Sequence, residues 1–528
     1  MRKPPQFGPQ SEVNGASMRR EENQRIARNT LMLYSRQLLI LIVSLYTVRV
    51  VLDQLGLEDF GIYAVIGGLV ALSAFLPASL GQATQRYFAF ALGEKNDDRL
   101  RKTFSVNLIL YAVAALITFI FLQTLGVWFV SNYLSVPDAR FEAAMQLYHY
   151  ASLTFVCSVI ASPFMAIIMA HEDMNLYAYI SILEALMKLG VVFLLQYIAW
   201  DKLELYGLLL LIVGLINTLV YVGICFYRYG ECQVRRLYWD LPLFVDIVIF
   251  IGWTSFGSIS NIARTHAITI LLNQSFSPAV VAARALSVQV ATQLNVFSDN
   301  FNVSLYPPIV KHYSANQLDE MYRLIIAGSK ITFFLLWVIA LPMMARMETI
   351  LDVWLTVVPP YAVLFAQLSL IEAVILSVSL PLTAAARAPG KMRLYELVLG
   401  TIQIGVFIVA WLVVWAGSPA YSVFIVGIIA NILMFGVRLF LVGRLTGFPV
   451  KKFLRQTGSA VLGIVFVTFT PVFAVSQVLP EGLNWSLLVI AISVLTTTAA
   501  MYFIGLDTEL RSALANSIRS KLAGTRRL

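Results

Sequence analysis

Charge is scarce in this chain. Only 13% of its 528 residues are Asp, Glu, Lys or Arg, about half the share usual in soluble proteins. Cysteine is scarcer still. Cys157 and Cys225 fall in apolar runs and Cys232 in a basic loop, so neither a disulfide framework nor a zinc spacing is suggested. The four histidines (His149, His171, His266 and His312) are scattered. No Walker A lysine motif and no Rossmann glycine fingerprint occurs. Direct ATP use is therefore not expected, and neither a cofactor nor a metal is called for. Also missing is a cleavable signal peptide: residues 1–28 are polar, so the first apolar run is expected to serve as its own insertion signal.

What fills the chain instead is apolar runs near 20 residues, each long enough to cross a hydrocarbon core of about 30 Å. They predict an all-α polytopic membrane protein with fourteen transmembrane helices. The runs lie at about 29–52, 61–84, 104–130, 147–170, 175–199, 205–227, 246–273, 279–306, 322–345, 361–385, 394–416, 420–443, 457–479 and 484–505. An even count puts both termini on one side. Of the 38 Lys and Arg, 28 fall on the side of the N-terminal tail, 3 on the other (Arg140, Lys202, Arg346), and 7 within spans. This split predicts cytoplasmic termini. It also accounts for the net charge of +9 without invoking nucleic acid. The largest loops on the opposite side, 131–146 and 346–360, leave no room for a catalytic domain.

The chain repeats itself. VLDQLGLEDFGIY (51–63) lines up with LLNQSFSPAVVAA (271–283) at a shift of 220. MNLYAYISILEALMKLGVVFLL (174–195) lines up with MRLYELVLGTIQIGVFIVAWLV (392–413) at a shift of 218, and Pro163 with Pro381. Six spans separate the copies, so the halves share one orientation, as in transporters with two parallel lobes. The expected organisation is a tail (1–28), an N-lobe of spans 1–6 (29–228), a linker (229–245), a C-lobe of spans 7–12 (246–445), an added pair of helices (457–505) and a second tail (506–528). Pro77, Pro163, Pro342 and Pro381 lie inside spans and are expected to bend or loosen them.

The order of motifs resembles the multidrug/oligosaccharidyl-lipid/polysaccharide exporter superfamily, and within it the polysaccharide transporter and O-antigen flippase group. The residues that carry the likeness are LGLEDFGIYAV (55–65), LPASLGQATQRYFAFALGEKNDDRLRK (76–102) and LYPPIVKHYSANQLDEMYRLI (305–325). The resemblance covers about 29–445. It implies a MATE-like fold of two pseudo-symmetric six-helix lobes plus two extra C-terminal helices. It further implies a bacterial inner-membrane flippase whose substrate is an oligosaccharide on polyprenyl pyrophosphate. A glycan polymerase or other polysaccharide-assembly proteins would be its partners. The other reading is an ion-coupled exporter of a small anionic or polar metabolite or drug. Span 1 holds arginines and no buried acid, which disfavours a cationic drug.

Charges within the spans are the candidate site, because each is costly in lipid and needs a partner, a hydrated cavity or an escape to the interface. Arg264 is deepest and shares a helix face with Ser260 and Asn261, with Gly257 leaving room. It is expected to line a cavity. Arg36 is open between cavity and packing. Arg49 and Arg284 lie near span ends, where an interfacial anchor competes with a cavity role. Arginine suits this work: its planar fork binds phosphate bidentately and never loses its charge. Arg86, at the exit of span 2, is either a first substrate contact or an ordinary tail-side cation. Glu184 and Lys188, four apart, are expected to pair. Lys330 and Arg438 are expected to snorkel. The two deep acids, Asp299 and Glu372, are candidates for ion coupling or for charge partners.

One stretch breaks the apolar pattern. ARALSVQVATQLNVFSDNFNVS (283–304) is half polar, yet the alternation of sides requires a span there. As a helix it carries two polar stripes, Gln289, Gln293, Asn300 and Ser304, and Thr292, Asn295, Asp299 and Asn302. A helix polar around so much of its girth is expected to line a hydrated cavity, where uncharged amides suit sugar hydroxyls.

Overall fold

The computed structural model describes residues 9–71, 75–133, 137–232, 238–276, 278–354, 358–480, 482–505 and 511. Every regular element among them is helical. The tail residues 1–8, most of 506–528, and part of the linker lie outside the described residues. Each of the fourteen expected spans is helical over its described residues apart from one or two at an end of some. Eleven helices are long and apolar enough to cross a membrane among the described residues. The segments over 29–52, 61–84 and 279–306 are helical over their described residues but not among those eleven. The first and third of these carry arginines and amides where the others carry Leu, Ile and Val. The chain divides into two compact units, residues 1–258 with 303–316, and residues 259–302 with 317–528.

Unit 1 holds α1 (Pro9–Ala71), α2 (Phe75–Gly93), α3 (Asp97–Phe121), α4 (Val127–Tyr133), α5 (Phe141–Ala170), α6 (Met174–Tyr197) and α7 (Lys202–Arg228). It also holds the first part of α8 (Leu241–Ser275) and the last part of α9 (Pro278–Ser314). The chain bends inside α1 at Gly56, where φ is 75° and ψ is 175°. A side chain there would be strained, so glycine ends span 1 and starts the turn to span 2. Three turns on the side away from the tail are tied together by one cation. Arg140 donates to both oxygens of Asp59 (2.8 and 2.6 Å) and to Asp201 (2.5 Å). Asp201 in turn caps α7 through the amides of Leu203 and Glu204. The other two cations on this side are also committed. Lys202 donates to the last carbonyls of α6, and in unit 2 Arg346 donates to the Leu479 carbonyl at 3.0 Å. These structural duties explain why three cations break the charge bias.

A π-helical turn, Leu122–Gly126, joins α3 to α4. Its Leu122 carbonyl accepts the Val127 amide and also the Tyr148 hydroxyl at 2.5 Å, and Gly126 leaves the space that this hydroxyl fills. In lipid, helices associate by close van der Waals contact, so small residues mark the tightest crossings. At Gly93 a Cβ would run into the Ser314 hydroxyl, and would lie 2.5 Å from the Lys311 carbonyl oxygen and 2.7 Å from its Cα. Backbone cannot yield as a side chain can. We expect Gly93→Ala to lower stability by about 1–3 kcal/mol, measurable by unfolding in detergent; an unchanged midpoint would contradict this packing.

Unit 2 holds the rest of α8 and α9, then α10 (Leu318–Ala345), α11 (Met347–Trp354), α12 (Ala362–Arg387), α13 (Arg393–Trp415), α14 (Ser422–Thr446), α15 (Val450–Phe453), α16 (Ser459–Val478) and α17 (Leu483–Ala500). Its core runs along α10, α12 and α14, with Phe333, Leu336, Phe365, Leu370 and Phe424 buried. The added pair, α16 and α17, packs on α10. There Trp337 donates to Thr468 at 3.0 Å, and Phe334 fills the space left by Gly505.

The repeat is visible in the backbone of each half. Left-handed residues occur at Glu172 in the α5–α6 turn and at Gly390 in the α12–α13 turn, 218 positions apart. Two more, Lys95 and Asn316, follow the ends of α2 and α9 at a shift of 221. Pro163 and Pro381 lie inside α5 and α12.

Candidate functional site

The α8–α9 hairpin of unit 2 brings two arginines together. Arg284, in the second turn of α9, is 8% exposed. Its Nε donates to the Thr269 hydroxyl at 3.2 Å and an Nη to the Thr265 carbonyl at 3.4 Å, both on α8. Its guanidinium lies 5.6 Å from the centre of the Phe424 ring on α14. It is a buried cation tied to the preceding helix. Arg264 lies on α8 within electrostatic reach of Arg284, and its Nε is buried with no hydrogen-bond partner among the described residues.

One acid lies within electrostatic range of both and is bonded to neither among the described residues. Glu372, on α12, acts electrostatically on Arg264 and on Arg284. Asn431 of α14 donates to its carboxylate at 3.4 Å. Gly427, also on α14, leaves the space that the carboxylate occupies, and a Cβ there would overlap Glu372 Oε1 and lie 3.0 Å from its Cδ. Two cations and one anion leave the cluster with net positive charge. Gly427→Ala would displace the acid from both arginines while leaving every charged residue in place. We expect it to alter anion binding in purified protein several-fold, with the far-ultraviolet helical signal unchanged. Unaltered binding would show that the acid does not tune the site.

Beyond Arg284 along α9, Gln289, Gln293 and Phe297 line a cavity of about 260 Å³. Met343, Ile350, Leu351 and Trp354, from α10 and α11, complete it. The lining is almost wholly apolar, with Gln289 and Gln293 offering little polar surface beside the Phe297 and Trp354 rings.

The remaining expected site residues scatter. Asn261 is exposed although Ser260 beside it is buried, so the face drawn through Arg264 is divided. Asn300 and Ser304 are buried, while Asp299 is exposed. The second polar stripe is more open, with Thr292 exposed and Asn295 and Asn302 half-buried. Asp299 makes no ion pair or hydrogen bond among the described residues. Arg36 is buried in unit 1, where it packs against an aromatic: its guanidinium is 4.6 Å from the Tyr177 ring centre on α6. The Arg49 side chain lies outside the described residues. Arg86 is buried beside Tyr87, Phe90 and Phe250. Glu184 and Lys188 pair at 2.7 Å as expected, with Asn217 also bound to the acid.

Arg438 is half-buried; it donates to the Ser379 hydroxyl on α12 and acts on the buried Glu396 of α13. Lys330 is 6% exposed. The partners Asn431, Gly427, Thr265, Thr269 and Phe424 had no sequence signal, because nothing in their spacing distinguishes them from ordinary span residues.

No family model matches the chain, and no curated protein sequence matches it. Solved structures do. A MATE structure in complex with MaD3S superposes with a TM-score of 0.69 over 81% of this chain and 97% of the other, at 14% identity. The chain has the MATE fold. A multidrug resistance MATE family transporter of the MOP superfamily, in an outward-facing conformation, gives a TM-score of 0.68 at 14% identity, covering 80% and 96%. A MOP superfamily transporter from Pyrococcus furiosus gives 0.64 at 14% identity, covering 80% and 96%. It is described by a binding pocket of reversed polarity that suggests a different function. The MATE fold thus spans most of this chain with very little shared sequence.

Proposed function

We propose that the chain is a membrane transporter that moves a polyprenyl-pyrophosphate-linked oligosaccharide between leaflets by alternating access. The observation that carries this reading is the Arg264–Arg284 pair within electrostatic range of a single acid. Arg264 is half-buried, and its buried Nε without a hydrogen-bond partner among the described residues is costly unless something anionic visits it. Pyrophosphate offers several oxygens in the geometry that guanidinium forks bind. The amides and rings along α9 suit the sugars that follow the phosphate. The Pyrococcus furiosus transporter supports the same logic, in which pocket polarity rather than fold selects the substrate. Asp299 would bind a coupling ion, and Glu372 would hold the arginines while no substrate is bound. The inner-membrane setting with cytoplasmic termini belongs to this proposal.

A second reading is an exporter of a small anionic metabolite. The cavity of about 260 Å³ favours it, since that volume suits a small molecule. Reconstituted proteoliposomes separate the two. With a labelled lipid-linked oligosaccharide in one leaflet, the flippase reading expects translocation faster than in protein-free vesicles. No acceleration, together with flux of small organic anions, would replace it with the exporter.

A further inference from the structure

Glu172 stands where a glycine belongs. It follows α5 with φ of 64°. Its amide donates to Met169 and that of Asp173 to Ile168, closing a helix C-terminal turn whose left-handed position is normally glycine. The equivalent position of the second half is a glycine, Gly390. A glutamate is among the residues that resist this conformation, so its side chain needs a reason to be there.

That side chain is 2% exposed and holds two cations. Lys311, in the last turn of α9, lies 2.7 Å from Oε1. Arg25, in the fifth turn of α1, lies 2.9 Å from Oε2. The Glu172 carbonyl accepts from Asn29 of α1 at 3.3 Å. One step deeper, the hydroxyls of Thr30 on α1 and Ser304 on α9 are 3.0 Å apart. Close packing against Gly93 of α2 fixes the backbone at Lys311, so its ammonium meets the carboxylate already positioned. The joint between α1, the α5–α6 turn and the end of α9 thus contains ion pairs and a hydroxyl contact, interactions of the kind that repack in switching transitions.

We propose that Glu172 is a latch. It holds the tail-side end of α9 to α1 and to the α5–α6 turn, and its release lets that end separate. α9 is the helix that carries the amide run through unit 2 before ending in unit 1, so the latch grips the helix assigned to substrate. This role rests on the transporter reading above. Its test reads conformation directly, so the two can fail separately.

The test uses the full chain in nanodiscs, with Cys157, Cys225 and Cys232 replaced by alanine and a single probe, Ser304→Cys. A maleimide reaches both faces of a nanodisc, so the labelling rate reports opening at this end. Glu172→Gln should speed labelling by roughly tenfold to a hundredfold, the worth of a hydrogen bond to a charged group. Glu172→Gly should speed it equally while relieving the turn, and so melt no lower than Glu172→Gln. Lys311→Met removes one pair, leaves the turn intact and should fall between. A control probe, Ser377→Cys on α12 of unit 2, should not change. Unchanged labelling of the probe at position 304 in both Glu172 variants would overturn the latch. So would equal acceleration of the control probe at position 377, which would mean general loosening.

Discussion

Arg264→Ala is expected to reduce translocation about 10- to 100-fold. That range corresponds to losing a charge-assisted interaction worth about 1.5–3 kcal/mol. The loss should appear both in proteoliposome flux and in surface polysaccharide of complemented cells. Arg264→Lys keeps the charge but loses the planar fork, so it should recover only part of the rate. The variant should still fold, because Glu372 keeps Arg284 and Asn431 as neighbours. Export at the parental rate from a well-expressed Arg264→Ala protein would remove the arginine pair from the mechanism. It would leave the cavity along α9 as the remaining candidate.

Arg140→Ala is expected to be the most destabilising single change outside the core of unit 1. One guanidinium bridges Asp59 and Asp201, with all three side chains under a third exposed. Its loss strands two carboxylates across three turns, at a cost of about 2–4 kcal/mol. The same bonds set a pH dependence. Hydrogen bonds from Arg140, with further ones from the α7 amides, hold the Asp201 carboxyl below its ordinary range. A carboxyl with a depressed folded pKa contributes its full stability above the unfolded value, about 3.9. That contribution is lost as pH falls from there through the folded value. The melting temperature of the parent should therefore drop on acidification below about pH 4, and Arg140→Ala should drop less. Equal acid sensitivity in both proteins would show that the bridge adds no pH-linked stability.

Fold and site differ in how far the sequence discloses them. Span positions follow from runs of apolar residues, and the described residues of each run are helical apart from one or two at an end of some. The repeat is legible from short identities, and the left-handed turns at 172 and 390 carry the same spacing. The Glu184–Lys188 pair is legible because four residues fix a shared face. The site is not legible in the same way. Arg36, Arg264 and Arg284 look alike as lone arginines in apolar runs, yet one lies over Tyr177 and the other two lie within electrostatic range of Glu372. The depth of Arg438 in its span does not disclose that it meets Ser379 and acts on Glu396. Glu172 carries no signal of its own in the sequence; only the left-handed turn it shares with Gly390 marks the position.

By itself, the sequence determined an all-helical membrane protein of fourteen segments, doubled by a repeat, with a polar helix where a span must pass. Those properties depend on hydrophobic length, charge bias and spacing, each of which is local. Only the tertiary structure decided which charges meet. In a soluble helix the polar face announces the outside, but in a membrane helix both the lipid face and the packed face are apolar. Periodicity then loses its contrast, and the charge nearest in effect to a half-buried arginine comes from a distant helix: Glu372 stands 108 residues from Arg264 in the chain and lies within its electrostatic range in the fold.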